Sequence, residues 1–354
     1  MSNYHEEEQQ RNVFYLRTAM EELPPFLQEF FRGIAQSTSV KTQLGYAHDL
    51  KLFFQYICKK HPMLKGSNPL QLSISCLDQI DSEEIDRFME YITYYERPDP
   101  HHPQNTIIVK NDEKGKARKL AAVRSMYKFF YKKNKVSANP ASIVDAPKIH
   151  EKQIVRLDVD EVAKLLDEVE SGENLTKRQK AFHNHTKKRD LALITLLLGT
   201  GMRVSECVGI NMKDIDFSCN GIKVTRKGGN EVMLYFGEEV REALEDYLVQ
   251  RQQQTSKYDG DDALFLSSRG TRITVRAVQN LVKKYASLVT TVKKISPHKL
   301  RSTYGTNLYH ETGDIYLVAD VLGHADVNTT KKHYAAIEEE RRRSAAKYVK
   351  LRKD

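Results

Sequence analysis

The sequence predicts a two-domain, mainly α protein with a small antiparallel β-sheet confined to its second half, an α+β arrangement. Three observations carry that expectation. The chain has 354 residues, too long for one ordinary core and suited to two domains or three. Its first part reads almost wholly at helical spacing, whereas the second mixes helical stretches with short β-prone ones. Between them, "NKVSANPASIVDAPKIHEKQIV" carries prolines and small residues with little periodicity, so 134–155 reads as an interdomain linker.

In the first part, "SVKTQLGYAHDLKLFFQYICKKHP" offers Ser37, Thr38 and Ser39 as N-caps, and Pro62 follows its end. Tyr46, Leu50, Phe53, Phe54 and Ile57 form one apolar stripe along it. "DSEEIDRFMEYITYYE" carries a second helix start, Asp81 and Ser82 before two glutamates. "ERPDPHHPQNT" reads as a proline-broken loop. After it, "KARKLAAVRSMYKFFYKKNK" turns Leu120, Val123, Met126, Tyr127 and Phe130 inward, leaving Lys116, Arg118, Lys119, Arg124, Lys128 and Lys132 for the other face.

In the second part, a helix near Asp158–Val169 precedes a polar insertion, "ESGENLTKRQKAFHNHTKKRD", and then an apolar helix from Asp190 to Gly199. "GIKVTRK" and "NEVMLYF" flank Gly228 and Gly229 as a hairpin would. Helices are expected at about 237–254, 274–289 and 297–311, with two or three shorter ones to the end.

Hydrophobic residues at 40% and charged residues at 29% describe a soluble globular protein. The longest apolar stretch, "LALITLLLGTGM", is too short and too glycine-broken to span a bilayer. "MSNYHEEEQQRNV" places acids where a signal peptide needs basic residues, so a cytoplasmic protein without membrane association is the expectation. Cys58, Cys76, Cys207 and Cys219 lack a CxxC pairing and read as isolated reduced thiols. The literal triplet "HNH" at His183–His185 is expected to be solvent-exposed in a polar loop rather than a metal site, and no metal or cofactor is implied.

Net charge is +9, which favours nucleic acid as a partner. Between Lys110 and Lys135 there are ten Lys or Arg against two acids, a local net of +8. A basic helix with aromatics on its apolar side suits a groove lined by phosphates, and Lys116, Arg118, Lys119, Arg124 and Lys128 are the candidate contacts. An ordinary basic surface helix is the alternative.

Three clusters in the second part could carry chemistry. "GTGMRVSECVGI" puts Arg203 just past a glycine turn with Glu206 three residues on. "ISPHKLRSTYGTNLY" opens after Pro297 and puts His298 and Arg301 one turn apart. "LGHADVNTTKKHYA" places His324 after a glycine and ends near Tyr334, one of 18 tyrosines, most of them expected to be packing residues. Two arginines could hold the non-bridging oxygens of a phosphate bidentately and stabilise a pentacoordinate transition state. Histidines could shuttle protons or donate to those oxygens. A tyrosine hydroxyl, with a free pKa of about 10, becomes a nucleophile where positive charge favours the phenolate. Convergence of these groups would give a covalent phosphotyrosine.

On these motifs the chain resembles the tyrosine recombinases (the phage-integrase family), most closely its bacterial Xer-type members. "GMRVSE" resembles the first-arginine motif, which makes Arg203 a phosphate clamp supported by Glu206. "VTRKGGNEV" is similar to the hairpin lysine motif, which makes Lys227 the acid protonating the leaving 5′ oxygen. "HKLR" resembles the family's H-x-x-R, giving His298 for proton handling and Arg301 as second clamp; "LGH" supplies His324 as a transition-state donor. Ser302 stands where many relatives carry a second histidine, and ten residues separate His324 from Tyr334 where nine is commonest. Counting nine lands on His333, which lacks a hydroxyl; the "HYA" ending occurs among relatives, and the resemblance implies Tyr334 as the nucleophile.

The resemblance implies a fold mainly α with a small antiparallel β-sheet in the catalytic domain, the two domains forming a C-shaped DNA clamp. It implies a helical, SAM-like core-binding domain over 1–133, the 134–155 linker and a catalytic domain over 156–354. The expected activity is site-specific strand exchange through a 3′-phosphotyrosine and a Holliday junction, without metal, cofactor or ATP. The expected assembly is a homo-tetramer on two duplex DNA sites, a dimer per site, with the tail "AIEEERRRSAAKYVKLRKD" docking on a neighbour. A regulatory protein is a further candidate partner. Resolution of chromosome dimers before cell division is the expected role, with integration of a mobile element as the close alternative. A type IB topoisomerase is the enzymatic rival, and a non-catalytic DNA-binding regulator is the rival of another class.

Overall fold

The computed structural model describes residues 4–100, 102–150, 155–226, 228–253, 262–324 and 326–327. The chain divides into two compact units, residues 1–151 and 152–354. The first unit holds α1 (Tyr4–Met20), α2 (Leu27–Ile34), α3 (Val40–Lys60), α4 (Ser82–Tyr91), β1 (Tyr94–Pro98), β2 (Thr106–Lys110) and α5 (Glu113–Lys132). The second holds α6 (Val159–Ser171), α7 (Lys177–Thr200), α8 (Val204–Gly209), β3 (Ile215–Asp216), β4 (Gly221–Thr225), β5 (Glu231–Tyr235), α9 (Glu238–Gln252), α10 (Val275–Val289), α11 (Pro297–Thr312) and α12 (Ile315–Leu322). The fold is thus mainly α with small antiparallel sheets, as the sequence predicts.

Helix starts lie where their capping chemistry places them. Ser39 caps α3 by accepting from the Thr42 N–H, and Asp81 caps α4 through the Glu84 N–H. Asp158 and Glu161 form a reciprocal capping box at α6. The first core is an aromatic lattice in which Phe26, Phe53, Phe54, Phe88 and Phe130 meet edge to face. Its stripe on α3 is the predicted one, with Leu50, Phe53, Phe54 and Ile57 all buried.

Four expectations change. The "ERPDPHHPQNT" segment is the end of a β-hairpin, with Tyr94 paired to Lys110 and Pro98 to Thr106. Its prolines cluster at the tip, where a missing N–H costs no ladder bond, while Tyr95, Ile107 and Val109 supply β propensity on either side. The polar insertion at 170–190 is mostly helix, because Thr176 and Gln179 form a capping box that starts α7 at Lys177. His183 is therefore not in an exposed loop. It is 3% exposed, packs its ring on Gly172 and hydrogen-bonds the Val169 carbonyl through Nε2 at 2.8 Å. His185 is exposed as expected, and among the described residues no cluster of His, Cys, Asp or Glu could hold a metal ion.

The first half of the stretch read as a linker, as far as Val144, is pinned to the first unit. Ser137 donates to Asp78 through both its N–H and its hydroxyl at 2.8 Å, and Val136, Ala141 and Val144 are buried. Finally, β3 adds a short third strand to the predicted hairpin, in the order β3-β4-β5.

In the second unit α7 is the central element, packed against α6, α9 and α11 and burying Leu193, Ile194, Leu196 and Leu197. The carboxylate of Asp190 on α7 is 1% exposed and fully engaged, accepting from Arg189, from Thr186 and from the Tyr285 hydroxyl. No helix among the described residues is long and apolar enough to cross a membrane.

Cys58, Cys76 and Cys207 are buried, and Cys219 is exposed. Desolvation pushes the Cys76 and Cys207 thiols up to about 12. Alkylation of the native chain at neutral pH, followed by peptide mass spectrometry, should therefore label Cys219 first and leave Cys76 and Cys207 protected until denaturant is added. Equal labelling of Cys207 and Cys219 in the native chain would contradict this packing.

Candidate active site

Three of the catalytic candidates, Arg203, Arg301 and His324, meet at the end of one short helix. Gly323 caps α12 in the left-handed conformation, φ +61°, and the last turn of the helix leaves carbonyls without intrahelical partners. Arginines from three other elements take them up. Arg301 on α11 donates from Nη2 to the Leu322 carbonyl and from Nη1 to the Gly201 carbonyl at 2.6 Å. Arg203 donates from Nη2 to the Gly323 carbonyl at 3.2 Å. Arg226, at the end of β4, donates from Nη2 to the Val321 carbonyl at 2.8 Å and reaches the Asp320 carbonyl at 3.5 Å. All three guanidinium groups thus meet the negative end of the α12 dipole.

Local sequence explains each placement. Gly201 ends α7 with φ +62°, and a Cβ there would sit 2.3 Å from the Tyr304 ring, so only glycine fits. Two residues on, Arg203 is the N-cap residue of α8 in extended conformation. Glu206, 4% exposed, accepts from the Arg203 backbone N–H at 2.7 Å and from its Nη1 at 2.8 Å. One buried carboxylate therefore fixes both ends of Arg203, leaving that side chain half-buried. Pro297 opens α11 at its first position, which puts His298 at an exposed helix start and Arg301, one turn later, in the interior at 5% exposure. His324 follows Gly323 directly, half-buried, its backbone N–H on the Ala319 carbonyl at 2.9 Å.

The structure therefore brings Arg203, Glu206, Arg301 and His324 to one turn, with His298 on the same helix as Arg301. Lys227 and Tyr334 lie outside the described residues, as does the C-terminal segment "AIEEERRRSAAKYVKLRKD". Arg226 was missed by sequence reasoning. Its only signal was a second basic residue beside Lys227 in "TRKGG", and its partners lie 94 and 95 positions away.

The expected DNA contacts on α5 divide. Lys128 is exposed and Lys116 half-buried, consistent with an outer face. Lys119 is not on that face: it is 6% exposed, donates to Asn111 Oδ1 at 2.7 Å, and desolvation lowers its pKa. Arg118 is engaged with the buried Asp49, whose pKa desolvation raises despite the adjacent guanidinium. Arg124 is engaged with the Ala141 and Val144 carbonyls and holds the following segment down.

Replacing Arg301 by lysine should leave one of two buried carbonyls without a donor, because an ammonium cannot span the fork from Gly201 to Leu322. Arg301→Lys should lower unfolding free energy by about 1–3 kcal/mol in urea. An unchanged midpoint would contradict the described network.

Comparisons of the sequence and of the fold with known proteins give the family. The profile of the phage integrase family matches residues 155–341. The tyrosine recombinase XerC of Caldanaerobacter subterraneus subsp. tengcongensis is 33% identical over 316 residues, covering 87% of this chain and 82% of that protein. The tyrosine recombinase XerC of Syntrophus aciditrophicus is 29% identical over 317 residues, covering 87% and 92%. The fold is similar to that of the XerH site-specific recombinase solved on a palindromic difH substrate, TM-score 0.66 at 20% identity over 95% of this chain and 88% of that one. It is similar also to lambda integrase residues 75–356 solved on a COC′ core site, TM-score 0.58 at 16% identity over 87% and 93%. The family profile and the relatives converge: the chain belongs to the phage integrase family, the tyrosine recombinases, and is a site-specific recombinase enzyme.

Proposed function

We propose that this recombinase cuts and rejoins duplex DNA through a 3′-phosphotyrosine on Tyr334 and resolves a Holliday junction in a second round. The observation that carries the reading is the convergence of Arg203, Arg301 and the His324 turn on the last turn of α12. In this mechanism the two guanidinium groups hold the scissile phosphate and stabilise charge on the phosphorane. The Tyr334 oxygen bonds to phosphorus, and its proton passes to His298. The bond from phosphorus to the 5′ oxygen breaks, and Lys227 protonates that oxygen. His324 donates to a non-bridging oxygen. The free 5′ hydroxyl of a partner strand then reverses the chemistry, so the phosphodiester energy is kept in the covalent link and no cofactor or metal enters.

On this reading residues 1–133 grip the core site, Lys116 and Lys128 contribute phosphate contacts, and 156–354 carries the chemistry. Lys119 and Arg124 fit better as groups that shape α5 than as free contacts, given their internal partners, whereas Arg118, its side chain 53% exposed beside Asp49, remains a phosphate contact. The working form is a homo-tetramer on two duplex sites, in the cytoplasm, with a regulatory protein as a candidate partner. Relatives named XerC along 87% of the chain support chromosome dimer resolution ahead of mobile-element integration.

The test starts from a pool of nicked duplexes with randomised cores. The wild-type chain should capture a subset as SDS-resistant adducts, with undiminished yield in excess chelator. Tyr334→Phe should bind the selected duplex and form no adduct. An adduct from Tyr334→Phe equal to wild type would remove the proposed nucleophile.

A further inference from the structure

We propose that Arg226 is a positioning residue for leaving-group protonation, tying the turn of the β4–β5 hairpin to the turn that carries His324. The inference rests on the strand-exchange reading above and adds to it a residue with no place in that mechanism. Arg226 closes the hairpin turn through its own backbone: its N–H donates to the Asn230 carbonyl at 2.8 Å, and its carbonyl accepts from the Gly229 N–H at 3.1 Å. Within that turn Gly228 and Gly229 adopt φ +99° and +87°, and among the described residues no atom outside the turn lies within 4 Å of where their Cβ atoms would be. Such a turn has little of its own to hold it in place.

The Arg226 side chain supplies an anchor. It crosses to α12 and donates to the Val321 and Asp320 carbonyls, lying so close over Gly323 that a Cβ there would be 2.4 Å from Nη1. Gly323 is thus required twice, for its left-handed conformation and for the arginine that lies on it. The next residue after Arg226 is Lys227, and the next after Gly323 is His324. A single guanidinium therefore couples the hairpin turn to the turn that carries His324, through uncharged carbonyl acceptors, and on the reading above these are the turns from which the acid and a phosphate donor act.

The consequence is specific to one bond. When phosphorus–oxygen cleavage expels the 5′ oxygen, that oxygen must take a proton; a 5′-bridging sulfur leaves as a thiolate and needs none, since a free thiol has a pKa of about 8.5. The substrate is the nicked duplex recovered by covalent capture with wild type, resynthesised with oxygen or sulfur at the cleaved 5′ position. Arg226→Met should bind it as wild type does, yet cleave the oxygen form on the order of ten- to a hundredfold more slowly in a single turnover, a part of what a general acid contributes. Sulfur should restore it to near the wild-type rate, and Arg226→Lys, which keeps one donor, should fall between. Lys227→Ala is the reference. If sulfur restores Lys227→Ala but not Arg226→Met, or if Arg226→Met only weakens binding, the proposal is overturned while the mechanism stands. If sulfur fails to restore Lys227→Ala, the assigned acid is wrong and the proposal goes with it.

Discussion

The site depends on the negative end of α12. Guanidinium groups repel one another, and a DNA-free enzyme that must hold several of them together needs something to offset that repulsion before a phosphate arrives. Here four carbonyls do so, Asp320 and Val321 accepting from Arg226, Leu322 from Arg301 and Gly323 from Arg203. Uncharged acceptors suit this role. A carboxylate at the same place would compete with the phosphate, whereas a helix dipole attracts the arginines with only partial charge.

Glu206 is buried against Arg203, holding that residue by backbone and side chain together. Arg301 is held by two carbonyls from turns on either side. Both arginines are thereby fixed in direction with little side-chain entropy left to lose on binding. The glycines at 201 and 323 follow from this, since each lets a turn approach a neighbouring side chain more closely than a Cβ allows.

Much of this was legible in the residues. Ser39, Asp81 and Asp158 announce their helices because capping is local, and "GTGMR", "HKLR" and "LGH" announce the turn because each motif is short and contiguous. What escaped was of two kinds. Some of it was local and readable: Thr176 with Gln179 is a capping box, and at 100° per residue Lys119 falls on the side of Val123 and Met126, so its burial follows from periodicity that its charge obscured. The β1–β2 hairpin was hidden by prolines that belong to its tip. The rest was long-range and had no local sign. The anchor from Arg226 to α12, the pinning of 134–144 by Asp78 and Arg124, and the burial of His183 against Gly172 each join segments whose meeting only the fold decides.

The central claim is that a phosphate gathered at this turn is attacked by a tyrosine hydroxyl that the motif interval leaves beside a histidine. The most direct measurement is the chemical identity of the covalent link. The wild-type adduct would be digested with nuclease and protease, and the nucleotide-bearing peptide sequenced by mass spectrometry. The account predicts an acid-stable phosphodiester on Tyr334; an acid-labile link on His333, or a nucleotide on any other side chain, would contradict it.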